Sequence, residues 1–274
     1  MRRQLRKHLA GATRRASGLA TGLAIWLATG LATVPTTALA AGAGAAEHVA
    51  GHVAIKRPVN LPPSADLSYT IEARQKGFSI EGESQVTWRT SGASYTLRTD
   101  TRAKLFGSLV ENRSEGVIDG FGIAPVQFHE KRLRKEPWTT TFDRAGKTIS
   151  FTEDKQTYPL KGGEQDRSSV AWQLVAVARA APEKMTPGSE WTFFVAGRRD
   201  AEPWTFKVVK REAVRTGLGT LEALHLVKLP PPDSKDQALD IWLAPSHEWY
   251  PVRLRFADSD DDFIDQTLGK MVKK

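Results

Sequence analysis

His129-Glu130 starts the spacing by which a zinc hydrolase sets two histidines and a glutamate base on one helix face, but Leu133 stands where the second histidine is needed. His48 and His52 stand four apart, a ligand spacing only on a helix, and their Gly-rich surroundings read as a solvated tail. His225 lies in an alternating strand pattern with no partner ligands and reads as a half-buried strand residue. His247, in the turn Pro245-Ser-His-Glu-Trp249, can act as a general base only if the fold brings a nucleophile to it. The acid run Asp258-Ser-Asp-Asp-Asp262 begins like a calcium loop. Phe263 and Gly269 then replace the turn glycine and closing glutamate, so a charged hairpin turn is expected. There is no G-x-S-x-G elbow, S-x-x-K, phosphate loop or complete G-x-G-x-x-G, and Gly217-Leu-Gly219 reads as a turn. The chain has no cysteine, which excludes thiolate chemistry and disulfides. These residues call for no cofactor, no metal and no catalytic group.

The tryptophans suggest a different use. Trp88, Trp138, Trp172, Trp191, Trp204, Trp242 and Trp249 either fill a β-core or line a cavity for an apolar ligand. Trp88, Trp172 and Trp242 are the candidate ligand contacts. Two of them lie on alternating strands, and the third lies on a helix expected to face them.

Charge narrows the partners. Six of the 39 basic residues and none of the 31 acidic ones fall within residues 1–40, so the rest of the 274-residue chain carries 33 against 31. Such a balance gives no footprint for nucleic acid. The basic start, the apolar run Leu19–Val34, the break at Pro35 and the small residues Ala38 and Ala40 read as a signal peptide cleaved after Ala40. An uncleaved anchor is the rival reading, but the run is diluted by Gly and Thr and falls short of a stable span. Thr13-Arg14-Arg15 raises twin-arginine export, although Ser17 and Gly18 stand where that signal has bulky apolar residues. No later segment is apolar enough to span a membrane as a helix, so a periplasmic location is expected.

Residues 41–63, Ala/Gly-rich and then Pro-punctuated, read as a flexible linker. From Asp66 the apolar period is two: Leu67, Tyr69 and Ile71 alternate with polar residues, and short strands recur between Gly, Pro and Asp turns as far as Leu268. Residues 168–181 break this rhythm. They open with Asp166 and Ser168 as capping residues, end before Pro182, and are apolar nearly all round, which predicts a buried helix. The reading is mainly β: a single antiparallel, partly open barrel or strongly curved sheet over residues 64–274, with that one helix inside. An outer-membrane barrel is rejected because Arg98–Lys104 puts charge on both faces, whereas a lipid-facing side must be apolar.

Several stretches then resemble an exported bacterial family, domain of unknown function 3108. They include Glu115–Ile118, Pro125–Phe128, Asp166–Leu174, Gly219–Leu224, Asp240–Pro245 and Tyr250–Leu254, in order over about residues 66–268. The resemblance implies a β-rich envelope protein of bacteria and supplies no catalytic residue. Three functions follow from the residues: a non-catalytic binding or carrier module for a lipophilic or envelope-derived small molecule, an interaction or assembly protein of the envelope with a solid core, or a hydrolase assembled from His247 and the Asp258–Asp262 acids.

Overall fold

The computed structural model describes residues 52–230, 238–258 and 262–274. The leader, His48 and the centre of the acid run lie outside these residues. The strands are β1 (Ala65–Gln75), β2 (Phe78–Thr90), β3 (Ser94–Ala103), β4 (Gly107–Asp119), β5 (Gly122–Arg132), β6 (Trp138–Asp143), β7 (Thr148–Phe151) and β8 (Tyr158–Pro159). After β9 (Gln165–Asp166) and helix α1 (Ser169–Ala180) come β10 (Glu190–Ala196), β11 (Ala201–Thr216), β12 (Gly219–Leu229), β13 (Ala238–Leu243), β14 (Pro251–Ala257) and β15 (Phe263–Lys273).

All fifteen strands form one sheet in the order β8-β7-β6-β5-β4-β3-β2-β1-β15-β14-β13-β12-β11-β10-β9. The chain runs outward in hairpins from β1, and the last strand returns to pair antiparallel with β1, Ala65 opposite Lys273. One pair departs from the antiparallel expectation: β9 lies parallel to β10. The two ends of the sheet approach through side chains rather than a backbone ladder. Phe142, Ile149 and Tyr158 from one end share an apolar cluster with Phe194, Ala196 and Ala201 from the other, and Thr140 donates to the Gly197 carbonyl at 2.7 Å. The result is a partly open barrel holding one helix.

Alternation sets its inner face. Ala65, Leu67, Tyr69, Ile71 and Ala73 are all buried along β1. On β3, Tyr95 and Leu97 point inward, then Thr99 and Thr101, while Arg98, Asp100 and Arg102 share the outer face. The charge expected on both faces of this strand therefore stands on one face only, because alternate positions share a side. No helix of the described residues is long and apolar enough to cross a membrane.

The expectation of a flexible linker up to Pro63 is corrected for residues 52–63, which have no regular structure yet are fastened to the barrel. Asn60 N donates to the Ala176 carbonyl at 2.9 Å, Trp88 Nε1 to the Pro62 carbonyl at 3.1 Å, and Tyr250 Oη to the Pro63 carbonyl. His52 is not solvated. It is buried, stacks on Phe194 with centroids 4.4 Å apart, and bonds Glu164 Oε1 through Nε2 at 2.5 Å. Backbone acceptors held these segments down, and composition does not reveal those.

This fastening depends on pH. Burial pushes the Glu164 carboxyl up, but hydrogen bonds from His52 and from the Gly162 and Lys161 amides outweigh it and hold it below the usual glutamate range. A carboxylate with a lowered folded pKa contributes stability above its unfolded value and loses it as pH falls through the folded one. Protease cleavage within 52–63 is therefore expected to speed up as pH falls below the usual glutamate range, ahead of unfolding of the sheet. A cleavage rate that ignores pH across this window would refute the fastening.

Candidate functional site

Helix α1, nine of whose twelve residues are buried, lies inside the barrel, and three side chains fix it there. Asp166 accepts from Ser168 N and Ser169 N at 2.8 Å each, which satisfies amides that open the helix. Its other oxygen accepts from Ser114 Oγ at 2.5 Å, and Ser114 Oγ in turn bonds the Tyr95 hydroxyl at 2.8 Å. Burial pushes the Asp166 carboxyl above the usual aspartate range, while these donors pull it down. Of the two expected capping residues, Asp166 caps with its side chain and Ser168 does not. Gln173 then clips the middle of the helix to the β4–β5 turn: its Oε1 accepts from Ile123 N at 2.8 Å and its Nε2 donates to the Phe121 carbonyl at 2.7 Å. Gly122, at φ +106°, lies so close that a β-carbon there would stand 2.6 Å from that Oε1.

Trp172 is the inward anchor. Its ring stacks on Trp88 at 4.7 Å and 14°, and meets Tyr250 edge-on at 5.6 Å. Near-parallel stacking adds to what area burial already gives. Beyond Trp172 the interior is not filled. A cavity of about 380 Å³ lies between the inner faces of β1–β5 and β11–β15, with the start of α1 as its floor. Val86, Leu97, Trp172, Ile241, Leu254 and Phe256 line it with apolar surface. Thr99, Thr101, Asn112, Glu130, Arg167 and Lys228 give it a polar side.

Of the three tryptophans expected at the ligand, only Trp172 lines this cavity. Trp88 is fully buried behind it. Trp242 faces the other way, because Leu239 and Ile241 take the inward positions of β13 and the next residue must point out. On the side of β13 away from the cavity Trp242 is itself buried: it stacks on His225 at 4.3 Å and 6°, lies under the Arg253 guanidinium at 4.7 Å, and donates to Glu212 at 2.7 Å. His225 bonds Asp240 at 2.6 Å, so it is a half-buried strand residue in a charged outer layer.

The geometry does not bring together the residues of the hydrolase alternative. His247 and the Asp258–Asp262 turn stand at opposite ends of the seven-residue strand β14, about 23 Å apart at the usual strand rise. His129 bonds Thr139 at 3.1 Å rather than a ligand set, and no group of three potential metal ligands occurs among the described residues. Asp258 N donates to the Asp262 carbonyl at 2.9 Å, as a hairpin turn requires.

The polar side of the cavity comes from residues that no sequence motif singles out. Glu130 and Arg132 form a buried ion pair on the inner face of β5, and Trp138 Nε1 donates to Glu130 at 3.1 Å. Lys228 lies over the Trp204 ring at 4.4 Å. Inward parity after the buried Phe128 was the available signal.

The family model for proteins of unknown function DUF3108 matches residues 67–267, nearly the whole barrel. The chain belongs to this family. In this DUF3108 chain the Asp166–Leu174 stretch that carried the resemblance is the segment that caps, clips and stacks the helix. No curated protein matches the chain. Among solved structures, a candidate lipoprotein from Parabacteroides distasonis is similar at 11% identity, covering 79% of this chain and 99% of its own, with a TM-score of 0.35. A candidate exported protein with a YmcC-like fold from Bacteroides fragilis matches at 11% identity over 81% and 100%, TM-score 0.30. A DUF1329 family protein from Desulfovibrio piger matches at 6% over 78% and 86%, TM-score 0.29.

Proposed function

We propose that this DUF3108 protein is an exported, non-catalytic binding or carrier module that holds an apolar or envelope-derived molecule in the barrel interior. The observation that carries this reading is the cavity of about 380 Å³ beside Trp172, within the size range of small-molecule sites. Its chemistry suits an amphiphile: the apolar wall takes an acyl chain, and Arg167, Lys228 and Asn112 lie where a polar head would sit. Each methylene buried contributes about 0.8 kcal/mol, so eight to ten give about 6–8 kcal/mol, the scale of micromolar binding before ordering costs. Export to the periplasm is supported by the composition of residues 1–40.

A long-chain fatty acid is the probe. At about 100 times its Kd it stabilises the native state by about 2.7 kcal/mol, so the melting temperature rises with ligand concentration. Ala171→Trp, which fills the floor of the cavity, is expected to abolish the rise and leave the fold intact. A melting temperature indifferent to fatty acids would sink the carrier reading in favour of an envelope interaction protein.

A further inference from the structure

We propose that the three hairpin tips joining β1 to β2, β3 to β4 and β5 to β6 form a docking surface for an anionic phospholipid bilayer. The tips lie side by side at one end of the sheet, about 10 Å apart at the usual strand spacing. They expose what water disfavours: Phe78 is 61% exposed, Leu105 89% and Phe106 47%. Leu105 and Phe106 are adjacent at the apex of one tip, and Phe78 stands at the next. Isolated exposed apolar residues need no explanation, but a clustered set at the ends of stiff hairpins does.

The tips are held as one platform. Behind them Ala103, Leu109 and Val110 pack with Ile80 and Leu133, so all three hairpins share one apolar cluster. Lys104 N donates to the Glu81 carbonyl at 3.1 Å and Leu133 N to the Leu109 carbonyl at 2.8 Å, stitching each tip to its neighbour.

Charge selects the occupant. Arg74 and Lys76 are exposed on the first tip, Arg102 and Lys104 on the second, and Lys131, Arg134 and Lys135 on the third. Across residues 74–79, 102–107 and 131–137 the only acid is Glu136. This sign is concentrated in a chain that is close to neutral after residue 40. Lys104 pairs with Glu81, but both side chains are more than half exposed, so a lipid phosphate can compete for the cation. The β14–β15 turn beside the first tip brings Asp258 and Asp262, and Asp262 accepts from Lys76 N at 2.7 Å. The positive field is therefore strongest over the second and third tips. Apolar side chains at an apex with cations around them match the boundary between acyl chains and anionic headgroups. Thr101 and Glu130, on the polar side of the cavity, stand on β3 and β5 two residues short of the ends of those strands at these tips.

Vesicle co-sedimentation tests the proposal, with one form of the chain used throughout so that any contribution of residues 1–40 cancels. Vesicles of equal parts phosphatidylcholine and phosphatidylglycerol should bind the protein, pure phosphatidylcholine far less, and added salt should weaken the binding. Leu105→Ser/Phe106→Ser should lower partitioning about tenfold. Lys131→Glu/Arg134→Glu/Lys135→Glu should lower it about a hundredfold or more and erase the lipid preference, while Lys76→Glu alone has a small effect. Leu218→Ser, at the opposite end of the sheet, should bind as wild type. All of these positions are exposed, so melting temperatures should not change. Tip variants that bind like wild type, or equal binding to both vesicles, would overturn the proposal. So would tip-dependent self-association without vesicles, which would assign the surface to a second copy of the chain.

Discussion

Trp172→Ala is expected to lower the unfolding free energy by about 3–5 kcal/mol, the usual cost of truncating a buried large aromatic. The substitution removes the stack on Trp88 and the edge contact with Tyr250. It also enlarges the existing cavity instead of letting the barrel collapse, which places the cost at the high end of that range. Both former partners reach the segment ahead of β1, Trp88 through the Pro62 carbonyl and Tyr250 through that of Pro63. The loss should therefore loosen the N-terminal segment as well as the helix. Urea unfolding checks it, with Trp172→Phe retaining most of the stability. An unchanged midpoint would show the helix to be superficial.

Glu130→Ala should cost about as much for a different reason. Glu130 and Arg132 are buried together, their side chains 3% and 5% exposed respectively, and truncating one member of a buried ion pair typically costs about 3–5 kcal/mol. Trp138 Nε1 loses its acceptor at the same time. Replacing both charges by apolar residues of similar size should recover most of the loss, because desolvation and attraction then vanish together. A double-mutant cycle reads the coupling directly. Additive losses would mean that the two side chains do not act as a pair.

The strands were legible because each has one buried face. The alternation of Leu67, Tyr69 and Ile71, or of Tyr95 and Leu97, writes the inner wall of the barrel into the sequence. The helix was equally plain: an apolar segment with no polar stripe can only lie inside, and Ser169–Ala180 does. Other features depend on partners distant in the chain. That His52 is buried follows from Glu164, 112 positions away, and from Phe194 beneath its ring. The outward turn of Trp242 follows from which parity of β13 the sheet buries, and a run such as Leu239–Leu243 is apolar enough on both parities to hide it. The two-residue strands β8 and β9 carry no period at all.

The cavity needed the fold. Its wall draws one to three residues from each of β1 to β5 and β11 to β15, and no local pattern announces that side chains of those sizes leave a space between them. Its polar side is present in the sequence as Glu130 and Arg132 at inward positions, where the neighbouring His129 gives Glu130 the look of a metal motif instead.

We propose that a lipophilic molecule occupies the space beside Trp172. Quenching of tryptophan fluorescence by a fatty acid brominated along its chain tests it most directly, because bromine quenches an indole only near contact. Saturable quenching by one equivalent is expected, reduced in Trp172→Phe and unchanged in Trp242→Phe, whose ring does not line the cavity. Quenching that never saturates, or that persists in full without Trp172, would contradict it.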